Sequence, residues 1–358
     1  MKIRLIGQRN STGIGIHYAS FADELKRVHN IGELVDEVDF TNNEQIIQAI
    51  NTSQPDDINI SFVGANIHEY FKGTIIQWIV FESTRIPEHI LKTLLPADQV
   101  WIPSTWGKHI LLEHGIDKDK IYVVPEGVDG KLFHNFGRKI WTASRPFRFL
   151  MIGKYEERKS FNETLEAFAQ VHGNHPDIEL VIKSNYFTNQ DQKLQQLRDK
   201  INNLGLTNVQ VLWGDMTENQ IADLYRSCDV FVFPSKGEGW GLPLIEAAAS
   251  GMTIITTKYS GQTEFIDNIS TSVVDVDYIL TDITCPEYQQ YYPDTNNNWG
   301  QWARPDVFSI AICMQSVCRE YKRLYKNAQK NSGFIRTHYS WAMSVDRALA
   351  AMGSTVDF

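Results

Sequence analysis

The chain has 358 residues, which at about 100–200 residues per domain predicts two domains rather than one. Its 34 Lys and Arg against 43 Asp and Glu give a formal net charge of −9, which argues against a nucleic-acid partner because binding to phosphate backbones requires clustered cations. The four cysteines have no paired CxxC spacing, so we expect reduced thiols rather than a disulfide scaffold.

Short apolar runs alternate with amphipathic stretches through the first half, as in a mainly parallel sheet covered by helices. The first run, Ile3 to Ile6, is too short for a signal peptide and predicts a strand. Further strands are predicted at 58–63, 75–80, 99–102 and 121–124. No stretch reaches the roughly 18 apolar residues of a membrane span. The sequence therefore predicts a cytoplasmic protein with at most peripheral contact at the inner face of the membrane.

A second alternating set starts at Phe147, after a weaker pattern over 131–146 that predicts a linker. Its strands are predicted at 147–153, 180–183, 209–212, 230–233 and 254–257. The two sets together predict an α/β protein of two Rossmann-like domains with parallel sheets that face a central cleft. We place the first domain at 1–143 and the second at 144–335.

The second half also contains recognisable helix starts and one segment without a regular pattern. Capping-box pairs open two of its helices: Ser160 with Glu163, and Thr217 with Gln220. The segment from Ile283 to Pro305 interrupts the alternation of predicted strands and helices, because it contains several prolines, tyrosines and asparagines. This composition predicts a long ordered loop or partial lid. Helices are predicted at 307–325 and 340–352.

The most informative segment joins Glu238 to Glu246 through a glycine-rich turn. The apolar run 229–233 predicts a buried strand before the turn, and Leu242 with Pro243 predicts a helix start after it. Glycines let backbone N–H groups approach a ligand closely, and a helix N-terminus favours negative charge, so this turn suits a phosphate. The glutamates would instead accept hydrogen bonds from hydroxyl groups on either side of a diphosphate. The alternative is an ordinary strand-to-helix turn whose glycines only shape the backbone.

This Glu-x7-Glu pattern, behind Pro-Ser and ahead of an alanine-rich helix, resembles the family 4 retaining glycosyltransferases, which have the GT-B fold. The resemblance implies that Glu238 lies beside the donor sugar and that Glu246 holds the ribose hydroxyls of the nucleotide. It also implies that the last part of the chain, 336–358, packs back on the first domain. The turn residues implied to bind the donor are Gly239, Trp240, Gly241 and Leu242.

A basic loop follows the first strand of the second half. Lys154, Arg158 and Lys159 lie between Gly153 and Ser160, at the strand end that faces the ligand crevice in an open α/β sheet. The family has a basic pair here that clamps the donor diphosphate, which we carry over to Lys154 and Lys159, with Arg158 as a competitor and Gly153 beside the donor. The alternative is a solvated basic turn balanced by the neighbouring glutamates.

Near the N-terminus, Gly13 and Gly15 stand at a helix entry. A dinucleotide fingerprint would need a third glycine where Tyr18 stands, which disfavours NAD binding. The resemblance implies instead a glycine-rich loop near the donor phosphate and the acceptor. His17 is an acceptor-side candidate, and the alternative is an ordinary helix-face histidine.

Two further elements resemble part of the family. The run Glu82-Ser-Thr-Arg-Ile-Pro87 is close to a Glu-Thr-x-Arg-x-Pro element, and Glu82 and Arg85 either bind the acceptor or pair with each other. Some members have a sugar-contacting histidine where Phe81 or Glu82 stands. The run Trp302-Ala-Arg-Pro-Asp306 resembles a Trp-Ala-Glu-Pro-Asp element, with Arg304 in place of the acidic residue.

Polar residues at other strand ends bear on recognition of a nucleotide base and on binding of a metal ion. Lys183-Ser-Asn185 and Gly214-Asp-Met216 end two predicted strands on the ligand side and are candidates to read the base. Asp275-Val-Asp277 imitates an Asp-x-Asp metal site but is more typical of a surface strand end, so we expect no metal and no other cofactor.

The resemblance implies a retaining, metal-independent transferase that moves a sugar from a nucleotide-diphosphate donor to an acceptor hydroxyl, in surface polysaccharide or glycolipid biosynthesis. Its partners would be a nucleotide sugar and a glycan or lipid-linked glycan. The alternatives are a nucleotide-sugar epimerase or sugar phosphorylase of the same fold, and a noncatalytic nucleotide-sugar-binding protein.

Overall fold

The computed structural model describes residues 1–28, 31–173, 177–186, 188–292 and 298–353. The chain divides into two compact units, each built from separate segments. Unit 1 comprises Met1–Gly127, Pro286–Gly300 and Tyr339–Phe358. Unit 2 comprises Val128–Cys285 and Gln301–His338.

Unit 1 contains a six-stranded parallel sheet in the order β2-β1-β3-β4-β5-β6. Its strands are β1 (Ile3–Gly7), β2 (Val35–Asp39), β3 (Ile58–Ser61), β4 (Thr74–Trp78), β5 (Gln99–Ile102) and β6 (Ile121–Val123). The helices of the first segment are α1 (Gly13–Leu25), α2 (Asn43–Thr52), α3 (Glu88–Leu94) and α4 (Thr105–Glu113), and short 3-10 turns cover Gly32–Leu34 and Lys118–Lys120. The five strands predicted from apolar runs are present. β2 was not predicted, because this edge strand carries three acids and buries only Val38.

Unit 2 contains a second six-stranded parallel sheet in the order β12-β11-β10-β7-β8-β9. Its strands are β7 (Phe147–Lys154), β8 (Ile178–Asn185), β9 (Val209–Trp213), β10 (Val230–Phe233), β11 (Thr253–Thr257) and β12 (Val273–Val276). The helices between them are α5 (Phe161–His172), α6 (Gln190–Asn203), α7 (Glu218–Ser227), α8 (Leu242–Ala249) and α9 (Thr263–Ile266), with 3-10 turns at Glu157–Lys159 and Asp267–Ser272. The predicted fold class, two Rossmann-like units with parallel sheets, is confirmed.

The rest of the chain contains β13 (Tyr278–Asp282), α10 (Pro286–Tyr291), β14 (Gln301–Pro305), α11 (Val307–His338) and α12 (Trp341–Gly353). β13 and β14 pair antiparallel. The prediction of a long ordered loop over 283–305 is therefore wrong in its described part, which contains α10 and β14, while a role as a partial lid stays a prediction. Residues 293–297 lie outside the described residues. α12 belongs to unit 1, where the Gln99 side chain donates to the Ala351 carbonyl at 2.9 Å.

The predicted linker is bound to unit 2 rather than free. Arg138 is buried and its guanidinium donates to the carbonyls of Tyr225 and Cys228, which lie at the C-terminal end of α7. Arg145 forms a bidentate pair with Asp229, with both N–O distances 2.7 Å. Unit 2 consequently begins at Val128, whereas the sequence analysis placed the domain boundary after residue 143.

The two predicted capping boxes have different outcomes. At α7 the box is complete: the Thr217 hydroxyl accepts from the Gln220 N–H, and the Gln220 side chain accepts from the Thr217 N–H. At α5 the prediction is wrong, because Ser160 has a left-handed backbone (φ 59°) and its side chain makes no capping hydrogen bond. A 3-10 turn runs into α5 directly at this point, so Ser160 cannot take the extended conformation of an N-cap.

All four cysteines are free thiols, as predicted, and three of them are buried. Among the described residues, no helix has both the length and the apolar character needed to cross a membrane.

Candidate functional site

Two loops meet at the carboxyl edge of the unit 2 sheet. β7 and β10 are hydrogen-bonded neighbours, with Val230 opposite Phe149, and both run in the same direction. The loops that follow them are therefore adjacent. We call residues 155–160 the basic loop and residues 234–241 the Glu238 loop. A backbone hydrogen bond of 2.7 Å from the Lys236 N–H to the Arg158 carbonyl joins the two loops directly.

Glu238 lies where the two loops meet, and its side chain is only 7% exposed. Lys159 Nζ lies 2.6 Å from Glu238 Oε1, and Arg158 Nη1 lies 3.0 Å from the same oxygen. The Ser235 hydroxyl also donates to this oxygen. One carboxylate oxygen is thus shared by two cations and a hydroxyl, which is a dense concentration of charge for a buried position.

Burial and neighbouring charges both act on the pKa values of this cluster. Burial tends to raise the pKa of Glu238, but Lys159 and Arg158 outweigh it and hold that pKa below its ordinary value. Burial, with the like charge of Arg158 beside it, lowers the pKa of Lys159. Glu238 is therefore ionised at neutral pH. The cluster offers strong hydrogen-bond donors, as the site of a developing negative charge requires.

A third loop, which follows β11, fixes the backbone of Glu238. The Glu238 N–H donates to the Ser260 hydroxyl at 2.8 Å, and the Gly261 N–H donates to the Glu238 carbonyl at 2.8 Å. A Cβ atom at Gly261 would collide with the Gly239 carbonyl, so the approach of the two loops requires glycine there. Ser260 adopts a positive φ of 64° to make this contact. No sequence pattern identified Ser260 and Gly261, because neither belongs to the Glu-x7-Glu pattern.

The predicted helix start at Leu242 is confirmed, since α8 begins there. Gly241 precedes it with φ 101°, a conformation that side chains disfavour, which explains the glycine. Trp240 is buried and packs on Phe265 with ring centroids 5.1 Å apart. Gly239 and Gly241 are also buried, whereas Leu242 is half-buried. The role of these four residues in donor binding stays a prediction.

Glu246 lies one turn into α8, where it contacts Tyr225. The Tyr225 hydroxyl lies 2.9 Å from the Pro243 carbonyl oxygen and 3.0 Å from Glu246 Oε2. Both oxygens accept from the Tyr225 hydroxyl, so this tyrosine joins the start of α8 to the Glu246 side chain. Burial raises the pKa of Glu246 to about 8, reinforced by the charge of Glu218 and opposed by the Tyr225 hydrogen bond. Tyr225 was not identified from the sequence.

We predict that Glu246 makes stability pH-dependent. Its folded pKa of about 8 exceeds the ordinary 4.5, so between these values the folded state binds more protons than the unfolded state. The free energy of unfolding must then fall as pH rises through this window, by at most about 1.4 kcal/mol per pH unit from this group. Chemical denaturation from pH 5 to 8.5 measures this. Glu246→Gln should remove the contribution, so parallel pH profiles for the variant and the wild type would contradict the prediction.

The residues proposed to read a base do converge. Asn185 ends β8, and its side-chain amide donates to Asp215 at 3.0 Å, just beyond β9. The Gly214 N–H donates to the Ser184 carbonyl at 3.1 Å. Lys183 is 7% exposed, and burial lowers the pKa of its amine. The two strand ends therefore lie together at the carboxyl edge of the unit 2 sheet, while recognition of a base stays a prediction.

The basic loop differs in detail from the assignment made from the sequence. That assignment paired Lys154 with Lys159, whereas the structure brings Arg158 beside Lys159 at Glu238. Lys154 ends β7 and is half-buried, as is Gly153 before it. Spacing alone could not separate Arg158 from Lys154, because a 3-10 turn over 157–159 decides which side chains face Glu238.

The glycine-rich loop of unit 1 opens α1, where the Gly15 N–H donates to the Thr12 side chain at 3.1 Å. A side chain at Gly15 would collide with Asn10, whereas Gly13 is exposed and open. His17 is 1% exposed, with its ring among those of Phe62, Trp78 and Trp341. Burial lowers the pKa of His17 to about 3, so it is neutral. This enclosed position leaves little of the ring for an acceptor to touch.

The Glu82–Pro87 element of unit 1 holds the segment that follows α10. The Ser83 hydroxyl donates to the Trp299 carbonyl and accepts from the Arg85 N–H at 3.1 Å. A Cβ atom at Gly300 would collide with Ser83, so these two segments pack closely. Glu82 and Arg85 are both half-buried. Acceptor binding by these two residues stays a prediction.

The Trp-Ala-x-Pro-Asp element has a structural explanation within unit 2. Ala303 is buried in β14, and its N–H donates to the Lys236 carbonyl at 2.8 Å, in the Glu238 loop. Asp306 accepts from the Ser309 N–H at 2.8 Å and so caps α11. Arg304, where the resembling element has an acid, is exposed. The substitution therefore falls at the outward-facing position.

No metal-binding arrangement is found in the described part of the chain, where no three His, Cys, Asp or Glu side chains are grouped to hold an ion. Asp275 lies in β12, at whose end Asp277 follows. The Asp277 N–H donates to the Ser309 hydroxyl at 2.9 Å, which places Asp277 against the first turn of α11.

Solved structures with the same architecture define the fold. The protein Alr3699/HepE of Anabaena, solved in complex with UDP and glucose, has a TM-score of 0.74 over 99% of this chain and 100% of its own, at 12% identity. Sucrose-phosphate synthase of Thermosynechococcus elongatus has a TM-score of 0.73 over 99% of each chain, at 15% identity. The protein thus has the GT-B fold.

Residues 136–277, which include the basic loop and the Glu238 loop, match the family model for glycosyl transferases group 1. The chain therefore carries a group 1 glycosyl transferase domain. Mannosylfructose-phosphate synthase of Agrobacterium fabrum is 25% identical over 184 residues, which are 49% of this chain and 40% of the relative. D-inositol 3-phosphate glycosyltransferase of Paenarthrobacter aurescens is 30% identical over 172 residues, 46% of this chain and 41% of the relative. The matches span less than half of these relatives.

Proposed function

We propose that the protein is a retaining, metal-independent glycosyltransferase of family 4 that uses a nucleotide-diphosphate sugar. The observation that carries this proposal is the shared contact of Lys159 and Arg158 with buried Glu238. It places two cations and a carboxylate together beside a glycine-rich turn and a helix start, in a domain that matches group 1 glycosyl transferases. In this proposal 144–335 binds the donor, 1–143 binds the acceptor, and 336–358 packs back on the acceptor domain.

The positive charges of the site are suited to stabilise a departing phosphate. Breaking the bond between the sugar and the diphosphate leaves negative charge on the departing phosphate, which the Lys159 and Arg158 side chains stabilise. Lys154 adds a third cation to this edge. The backbone N–H groups at the start of α8 contribute a further favourable field. These groups neutralise the leaving group without a metal ion.

Glu238 orients the donor sugar by accepting hydrogen bonds from its hydroxyls, and Glu246 accepts those of the ribose. An acceptor hydroxyl attacks the anomeric carbon, passes its proton to the departing phosphate oxygen, and displaces the nucleoside diphosphate. Retention of configuration by front-face attack rests on the resemblance to family 4.

The relatives suggest an acceptor class. Two are named for products or substrates that are phosphorylated polyols or sugars, and the serotype-specific mannosyltransferase WbdA of Escherichia coli is 33% identical over 108 residues. We propose a glycan or lipid-linked glycan acceptor in surface polysaccharide or glycolipid synthesis. A cytoplasmic location, with at most peripheral contact at the inner membrane face, belongs to the same proposal.

A panel of UDP-, GDP-, dTDP- and ADP-sugars tests the function, read by thermal shift and donor hydrolysis with EDTA present. One nucleotide class should raise the melting temperature and be hydrolysed slowly, and Glu246→Ala should abolish the shift. No response to any donor would refute the proposal. A requirement for added divalent cation would refute metal independence, and conversion of the donor to an isomeric sugar nucleotide would indicate an epimerase.

A further inference from the structure

Lys236 is a buried cation that the mechanism above does not use. It lies in the Glu238 loop with only 6% of its surface exposed. Its Nζ is 2.9 Å from Glu163 Oε1 and 3.4 Å from Glu157 Oε1. These two acids lie on either side of the Arg158–Lys159 dipeptide, one in the 3-10 turn and the other in the first turn of α5. The Lys236 side chain therefore spans the segment that carries both site cations.

The backbone of Lys236 reinforces this arrangement. Its N–H donates to the Arg158 carbonyl at 2.7 Å, and its carbonyl accepts from the Ala303 N–H at 2.8 Å. The adjacent Ser235 hydroxyl oxygen lies 3.2 Å from the Arg158 carbonyl oxygen. One residue thus connects the Glu238 loop, the basic loop and β14.

We propose that Lys236 is a positioning residue that fixes Arg158 and Lys159 against Glu238 through its ion pair with Glu163. This inference rests on the proposed transferase function. Lys236 acts through the basic loop rather than on the substrate, because its amine is already held by two carboxylates. Without it, Glu157 and Glu163 repel each other across the dipeptide and the 3-10 turn loses its anchor.

The close spacing of the Glu238 cluster explains why loss of the Lys236 ion pair should lower turnover. Removal of one partner from a buried ion pair leaves the other charge uncompensated, so the structure around it is expected to shift. A displacement of about 1 Å at a group that stabilises the transition state costs up to about 100-fold in rate. Arg158 and Lys159 are each held within 3.0 Å of the same Glu238 oxygen, so the cluster has little tolerance for such movement.

The test compares Lys236→Met, Glu163→Gln and the double variant, with Lys200→Met as control. Lys200 also pairs with α5, through Glu166, but on a more exposed face outside the site. Kinetics are measured with the nucleotide sugar selected by the donor panel. Lys236→Met should lower kcat by about 10- to 100-fold. The KM for the donor should change by less than about threefold, since the lost interaction belongs to the transition state. Lys200→Met should match the wild type in both.

The double variant separates positioning from general destabilisation. If Lys236 and Glu163 act as one unit, the double variant should be no slower than Lys236→Met alone, with a melting temperature within about 4 °C of it. Multiplicative losses in the double variant, a kcat within twofold of wild type for Lys236→Met, or an equal loss in Lys200→Met would each overturn the proposal. A wild type that neither binds nor hydrolyses any donor would overturn the transferase function itself, and this inference with it.

Discussion

Replacing Lys159 by methionine is expected to lower turnover by about 100- to 1,000-fold, the usual loss when one preorganised donor to a developing anion is removed. Lys159 is buried, within 2.6 Å of Glu238, and its amine also lies 4.8 Å from the centre of the Phe233 ring. Methionine fills a similar volume without charge, so the packing survives while the cation is lost. The measurement is steady-state donor consumption with and without acceptor.

A matched control is Lys193→Met. Lys193 likewise lies over an aromatic ring, with its amine 4.7 Å from the centre of Tyr186, but it belongs to α6 rather than to the cation cluster. It should keep wild-type turnover. Equal losses in the two variants would mean that the ring contact matters rather than the charge at the site, and would contradict the role assigned to Lys159.

Glu238→Gln is expected to have opposite effects on binding and on catalysis. The carboxylate holds two cations that the donor diphosphate also needs, so Glu238 competes with the phosphate for them. Glutamine releases these cations, and the affinity for a nucleoside diphosphate should rise severalfold. Turnover should nevertheless fall by roughly 100-fold, because the charged hydrogen bonds that orient the sugar become weaker neutral ones.

Calorimetry with UDP, GDP, dTDP and ADP measures the nucleotide affinity of the variant and the wild type. Thermal denaturation with and without nucleotide gives a second measure of binding. Without ligand the variant should melt lower than the wild type, because the buried Lys159 loses its carboxylate partner at a cost of about 3–5 kcal/mol. Nucleotide should restore more stability to the variant than to the wild type. Weaker nucleotide binding by Glu238→Gln would contradict the competition. Ser144→Ala, on an exposed turn, is the unchanged reference.

The sequence predicted the sheets well because buried parallel strands are continuous apolar runs. β10 was predicted with the bounds it has, and the start of α8 was predicted from Leu242 and Pro243. The failures occur where another force dominates. β2 is an edge strand with a charged sequence, and the weakly patterned stretch 131–146 is held by Arg138 through backbone carbonyls that no sequence pattern reveals.

The site was predictable only in part, for a similar reason. Glu238 and Glu246 could be singled out because glycines and a helix start surround them in one short segment. Tyr225 and Lys236 could not be singled out, since their roles depend on contacts with residues far along the chain. Arg158 was a competitor from the sequence, and the 3-10 turn before α5 brings it to Glu238.

The segmented construction of unit 1 has a consequence for biosynthesis. Trp341, at the start of α12, stacks 5.8 Å from His17, and Gln99 bonds to Ala351. The strands of the unit 1 sheet leave the ribosome early, yet α12, which belongs to the same unit, is translated after all of unit 2. At about 5–20 residues per second, this delay lasts on the order of ten seconds or more. The N-terminal unit therefore begins folding first and finishes last, with the aromatic surface around His17 uncovered in the nascent chain.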